Sequence, residues 1–144
     1  MALKSQLSRP PTTVALFNAS DDTVEMVKRM LDTIGIHSLI SCHFADLKKG
    51  NIDVNAYLVT HDPAVVIFDI SPPYLENWEF FKTMRAAKEM ESRGIVLTTT
   101  NKLRLDELIG QNSAALEVVG KPYDLEQISD AIKKALPNRD ASFA

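Results

Sequence analysis

Short runs of apolar, strand-forming residues alternate along this chain with segments whose apolar side chains recur every three to four positions. The run from Ala64 to Phe68 contains no polar residue. Both faces of the strand that it predicts must therefore be buried, as in the middle of a parallel sheet. Four weaker runs predict further strands at Val14 to Phe17, Ile36 to Cys42, Ile95 to Leu97 and Leu116 to Val119.

Two amphipathic segments carry clear helix signals. The first follows Ser20, a cap candidate with acidic neighbours, and ends at Gly35. The second follows Asp124, with Gln127 completing a capping-box pattern, and ends at Pro137. Both helices have one apolar face, so each is predicted to pack against the sheet.

The remaining helical patterns are less regular. We predict a short helix that begins after Asp53 and ends before Pro63, a helix over residues 76–88, and a short helix before Gly110. Residues 44–52 have no consistent period and are predicted to form a loop. Strands and helices then alternate five times, which predicts an α/β fold with a parallel sheet and helices on both faces.

Length and composition indicate the number of domains, the compartment and the partners of this protein. The chain has 144 residues, which suits one domain, and we assign residues 13–136 to it, with a flexible lead at 1–12 and a tail at 137–144. The formal net charge of −3 disfavours a nucleic-acid partner. No apolar run approaches the roughly 20 residues that span a bilayer, so no membrane partner is expected. With Cys42 as the only cysteine, we expect a cytoplasmic protein.

Polar residues that suit phosphoryl chemistry follow three of the predicted strands. They are Asp69, Thr98 and Lys121. Because parallel strands end at the same edge of the sheet, these side chains are predicted to converge there. A carboxylate can act as the nucleophile, an ammonium can neutralise phosphoryl oxygens, and a hydroxyl can donate a hydrogen bond to one of them.

Three segments, residues 14–27, 65–73 and 119–126, together resemble the receiver domain of bacterial two-component response regulators. The resemblance covers about residues 13–136 and implies a flavodoxin-like, doubly wound (βα)5 three-layer sandwich. It also implies that Asp69 accepts a phosphoryl group, with Thr98 and Lys121 assisting. The implied partners are a histidine kinase or phosphotransfer protein upstream and another protein downstream.

The chain departs from this family at the implied Mg²⁺ site and at the switch residue. The resemblance implies that Asp69 and the backbone carbonyl of Ser71 bind the metal together with two acidic residues after the first strand. Asn18 and Ala19 occupy the acidic positions, so we expect weak Mg²⁺ binding, with Asn18 a poor ligand at best. Val118 stands where the family carries a switch aromatic residue.

Two functions fit these residues. The first is a stand-alone receiver, not an enzyme, that is phosphorylated on Asp69 and signals through another protein or through a homodimer. The second is a degenerate receiver-fold interaction module that works without phosphorylation, which Ala19 and Val118 favour. A small α/β enzyme or flavin carrier is disfavoured, because the chain has neither a phosphate-binding loop nor a glycine-rich dinucleotide turn.

Overall fold

The structure is a computed structural model that describes most of the predicted domain. The described residues are 12–17, 20–33, 35, 38–110, 117–120 and 125–136. The predicted tail from residue 137 lies outside them, as does the predicted lead up to residue 11. The same holds for several residues with predicted roles, namely Asn18, Ala19, Lys121 and the cap candidate Asp124.

Five parallel strands form one sheet in the order β2-β1-β3-β4-β5. This order, with helices on both faces, is that of a flavodoxin-like doubly wound fold, so the predicted fold class is confirmed. The strands are β1 (Thr13–Phe17), β2 (Ser38–Cys42), β3 (Val65–Ile70), β4 (Gly94–Thr99) and β5 (Glu117–Gly120).

Six α-helices and one 3₁₀ turn accompany the strands within the described residues. The long helix predicted at 76–88 begins and ends earlier than its pattern indicated, and the 3₁₀ turn at Lys88–Met90 follows it. The helices are α1 (Asp21–Thr33), α2 (Phe44–Lys48), α3 (Val54–His61), α4 (Tyr74–Arg85), α5 (Lys102–Ile109) and α6 (Leu125–Ala135).

The prediction of a loop at residues 44–52 is wrong, because residues Phe44–Lys48 form the short helix α2. Phe44 explains the difference: it is 2% exposed, and its ring lies 5.9 Å from Phe68 and 5.0 Å from Phe80. A five-residue helix has too few residues for a periodic pattern. Packing of one aromatic side chain against the core stabilises it instead.

Two of the predicted helix starts have the expected capping contacts. The Asp53 carboxylate accepts hydrogen bonds from the backbone N–H groups of Asn55 and Ala56, and the Ser20 hydroxyl accepts one from the N–H of Thr23 at 3.3 Å. Both contacts satisfy donors that have no partner within the helix. The local sequence therefore sets where α1 and α3 begin.

The sheet separates two hydrophobic cores. Residues of α1 and α6, among them Leu31 and Ile132, pack on one face. Residues of α2 to α5, among them Phe44, Phe81 and Leu105, pack on the other. No helix within the described residues combines the length and the apolar character that crossing a membrane requires.

A buried arginine joins the segments that lead into β3 and β4. The Arg93 side chain is 4% exposed and lies 2.8 Å from the Asp62 carboxylate. It also donates at 2.8 Å to the carbonyl of Pro63 and at 2.7 Å to the carbonyl of Glu89. A buried guanidinium is tolerated only when its donors are paired, so these contacts fix the amino ends of the two central strands relative to each other.

We predict that Gly94→Ala destabilises the protein by about 1–3 kcal/mol or more, because a Cβ at this position would overlap the backbone carbonyl of Ala135. Gly120→Ala is the matched control, since its Cβ would come no closer than 3.4 Å to the Lys102 side chain. Chemical denaturation of both variants measures the difference. Equal free energies of unfolding would contradict the close approach of α6 to β4.

Candidate functional site

Asp69 and Thr98 are neighbours across the two central strands. They are paired in register, Asp69 as the penultimate residue of β3 and Thr98 as that of β4. The Thr98 hydroxyl donates a hydrogen bond to Oδ1 of Asp69 at 2.8 Å. Two of the three residues predicted to converge are therefore in direct contact at the carboxyl edge of the sheet.

This contact is buried. Asp69 is 5% exposed and Thr98 is fully buried. A carboxylate removed from water needs hydrogen-bond donors, and a charge-assisted bond inside the protein is stronger than the same bond in water. Thr98 supplies one such donor.

The sequence pattern placed Asp69 and Thr98 just after their strands, whereas the structure includes both in the strands. The ladder between β3 and β4 continues through the pairs Asp69–Thr98 and Ile70–Thr99. The predicted strand ends were set by the first polar residue, but backbone pairing does not depend on side-chain polarity. Both residues still lie within two positions of the strand ends.

The remaining predicted site residues follow strands that the structure describes. Phe17, the last described residue of β1, pairs with Phe68, which precedes Asp69. Gly120 pairs with Thr99 at the end of β4. Asn18 and Ala19 come next in the sequence after β1, and Lys121 comes next after β5.

The loop after β3 is fastened by a residue that sequence reasoning missed. The side-chain amide of Asn77, in the first turn of α4, donates to the backbone carbonyl of Ser71 at 2.7 Å. Asn77 is only 7% exposed. A detectable signal existed in the sequence, because Asn77 has helical spacing to the buried residues Phe81 and Met84 and is a polar residue on an apolar face.

A second side-chain bond crosses from this helix to the loop after β4. The hydroxyls of Tyr74 and Thr100 lie 2.9 Å apart. The neighbouring hydroxyl of Thr99 accepts a hydrogen bond from the N–H of Asn101 at 3.2 Å. The three consecutive threonines that begin at Thr98 thus all make side-chain hydrogen bonds, rather than serving only as strand formers.

Of the residues predicted to bind a cation, Asp69 and Ser71 lie within the described part of the chain and Asn18 does not. Among the described residues, no three His, Cys, Asp or Glu side chains lie close enough together to hold a metal. The Ser71 carbonyl already accepts the Asn77 amide. In the sequence, neither Asn18 nor Ala19 offers a carboxylate, and Mg²⁺ in proteins relies on carboxylates with water.

Cys42 is not a candidate nucleophile. It is 6% exposed at the end of β2, and burial, with the negative charge of Asp46 acting in the same direction, raises the pKa of its thiol to about 12. The thiol therefore stays protonated at neutral pH, and the thiolate is the reactive form. Cys42 is one of the buried residues of the core on the α2–α5 face.

The sequence of this chain is similar to those of two characterised bacterial proteins. The chain is 24% identical over 118 residues to the response regulator Rre1 of Synechocystis sp., covering 77% of this chain and 51% of the relative. It is 32% identical over 75 residues to sporulation initiation phosphotransferase F of Bacillus subtilis, covering 52% of this chain and 59% of the relative. The chain thus spans somewhat more than half the length of these relatives. No protein-family model matches it.

Solved structures give the same fold. The chemotaxis protein CheY4 of Vibrio cholerae has a TM-score of 0.67 at 20% identity, with 88% of this chain and 100% of that chain covered. A CheY-like response regulator of Mesorhizobium loti has a TM-score of 0.61 at 17% identity, covering 88% and 99%. The fold and the sequence relatives together support a receiver domain of the response-regulator type.

We predict that Thr98→Val lowers the free energy of unfolding by about 1–3 kcal/mol, because the buried Asp69 carboxylate loses a donor while the side-chain volume is kept. Thr98→Ser, which keeps the hydroxyl, should lose less. Urea denaturation of the two variants at neutral pH makes the comparison. A valine variant as stable as the parent would mean that this hydrogen bond contributes nothing to the fold.

Proposed function

We propose that this receiver domain accepts a phosphoryl group on Asp69 from a histidine kinase or a phosphotransfer protein and signals through protein–protein contact. The observation that supports it best is the 2.8 Å hydrogen bond from Thr98 to Asp69 at the carboxyl edge of the sheet. That edge is where ligands bind in doubly wound folds. A carboxylate and a hydroxyl held together there suit transfer of a phosphoryl group to the carboxylate, which forms an acyl phosphate.

The proposed transfer is a displacement at phosphorus. An oxygen of the Asp69 carboxylate forms the new O–P bond while the P–N bond to the donor imidazole breaks, and that imidazole nitrogen takes up a proton. The developing charge on the phosphoryl oxygens needs partners. The Thr98 hydroxyl can turn from the carboxylate to a phosphoryl oxygen, and Lys121, next in sequence after β5, would supply the ammonium.

We further propose that Mg²⁺ binds this domain weakly. The resemblance implies a cation held by Asp69, the Ser71 carbonyl and two acidic residues, and Asn18 and Ala19 stand at the acidic positions. Fewer carboxylates attract the cation less. If Mg²⁺ binds, Asp69, Ser71 and Asn18 supply the protein oxygens.

We propose that the response to phosphorylation does not use an aromatic side chain on β5. Val118 is half-buried, pairs with Leu97 on β4 and packs against the core on the α2–α5 face. An aromatic residue could favour a buried position in one state of the domain and an exposed position in the other. Valine has neither a polar end nor the volume for this, so its contribution to coupling between Asp69 and the output surface is small. The loops after β3 and β4, joined by the contact between Tyr74 and Thr100, are the better candidates.

A second function is favoured by a specific contact. The Ser71 carbonyl accepts a hydrogen bond from the Asn77 amide, so the loop after β3 is held without a cation. A phosphorylation-independent interaction module would need no more than that. The two functions differ in whether Asp69 is ever modified.

We predict that incubation with a small phosphodonor such as acetyl phosphate, in buffer containing Mg²⁺, adds one phosphoryl mass to the intact protein. Asp69→Asn should abolish the addition because it removes the nucleophilic carboxylate. Asp106→Asn, which removes a carboxylate from α5, is the matched control and should behave like the parent. Intact-protein mass spectrometry reads the result, and a parallel incubation without Mg²⁺ measures the dependence on the cation.

An unmodified parent protein in both buffers would reject phosphorylation and leave the interaction module as the function. Modification that survives Asp69→Asn would assign the phosphoryl group to another residue.

We also predict that Asn18→Asp combined with Ala19→Asp tightens Mg²⁺ binding by at least about tenfold, since two carboxylates are added at the positions that the resemblance assigns to the cation site. The same pair should lower the stability of the metal-free protein through repulsion between like charges. Calorimetric titration and denaturation measure the two effects. Ala86→Asp with Ser92→Asp adds the same charge before β4 and should change Mg²⁺ affinity little, so equal affinities for all three proteins would be the contrary result.

A further inference from the structure

Asn77 is a buried polar residue whose side chain does not serve the helix that carries it. Its backbone N–H makes the ordinary first-turn bond to the carbonyl of Pro73 at 3.1 Å. Its side-chain amide reaches further back and donates to the carbonyl of Ser71 at 2.7 Å. Burying an amide is costly unless it is hydrogen-bonded, so this short contact holds the loop after β3 against the start of α4.

The loop that Asn77 holds begins directly beside the site. Ser71 is two residues after Asp69 and is the first residue beyond β3. A carbonyl oxygen carries partial negative charge and can accept from an N–H donor or bind a cation. In this chain that oxygen accepts a hydrogen bond from a neutral amide donor.

We infer that Asn77 is a positioning residue that holds the loop following Asp69 through a hydrogen bond to the Ser71 carbonyl, which the resemblance assigns to a divalent cation. This inference rests on the proposed role of Asp69 as the phosphoacceptor. The sequence supplies fewer carboxylates here than Mg²⁺ prefers. The amide of Asn77 instead provides a hydrogen-bond donor that orders the loop.

The decisive variant is Asn77→Asp, which keeps the shape of the side chain and replaces the amide donor by a carboxylate. Without metal, this carboxylate faces the Ser71 carbonyl and the loop loses its fastening. With metal, the introduced carboxylate and the released Ser71 carbonyl are both available as ligands. We expect Mg²⁺ to bind at least about tenfold more tightly than to the parent protein, because one carboxylate is gained and one carbonyl is released.

Two controls separate this effect from a general loosening of the fold. Asn77→Leu has a similar branched shape with neither donor nor acceptor. It releases the Ser71 carbonyl without adding a carboxylate, so it should lose stability and gain much less Mg²⁺ affinity than the aspartate variant. Asn77→Asp combined with Asp69→Asn should lose most of the gain, because the cation is expected to use both carboxylates.

The measurements are calorimetric titration with MgCl2 and fluorescence of Trp78, the only tryptophan of the chain. Trp78 follows Asn77, is 5% exposed and stacks on Phe81 with 5.3 Å between ring centroids. Its emission should change on adding Mg²⁺ to the aspartate variant and stay constant in the parent protein.

Mg²⁺ affinity of the aspartate variant equal to that of the parent, or equal affinities in the aspartate and leucine variants, would overturn the inference. If the aspartate variant does not fold, Asn77→Ala decides instead: it frees the Ser71 carbonyl and should bind Mg²⁺ more tightly than the parent, and unchanged affinity would overturn the inference. These titrations contain no phosphodonor, so their outcome is separate from whether Asp69 accepts a phosphoryl group.

Discussion

Burial of β3 on both faces is the constraint on which the rest of the structure depends. All six residues of the strand are buried, so each face of the sheet must be covered by helices. Crossover connections of parallel strands provide that cover, and they bring every strand to its end at the same edge. The two cores, the strand order and the position of the site at the carboxyl edge follow from this arrangement.

The same constraint places the carboxylate of Asp69 in a buried position. Asp69 belongs to the buried strand, so its carboxylate depends on donors supplied by the protein. Register pairing with Thr98 provides one at 2.8 Å. The pairing is fixed at the other end of the strands by the buried Arg93, which links the segments that lead into β3 and β4. A contact at the amino ends of these strands thus supports the alignment of the residues at their carboxyl ends.

Side-chain hydrogen bonds order the rim around Asp69. Asn77 fastens the loop after β3, and Tyr74 reaches the loop after β4 through Thr100. Both bonds originate in the first turn of α4. A change at Asp69 that moved this turn would therefore be felt in both loops, which gives the domain a route for a response that does not require a ring on β5.

The sequence by itself determined the fold class and the two residues in contact at the site. The apolar run before Asp69 and the repeated strand–helix pattern indicate a buried parallel sheet, because side-chain period and burial are local properties that the sequence records. The caps at Ser20 and Asp53 were predictable for the same reason.

Tertiary structure alone decided three other features. Helix α2 forms because Phe44 packs against rings from distant parts of the chain, which no local period reveals. The hydrogen bond from Asn77 to Ser71 depends on how α4 leaves the sheet. The burial of Asp69 within β3 depends on backbone pairing with β4, and strand pairing joins residues that are far apart in the sequence.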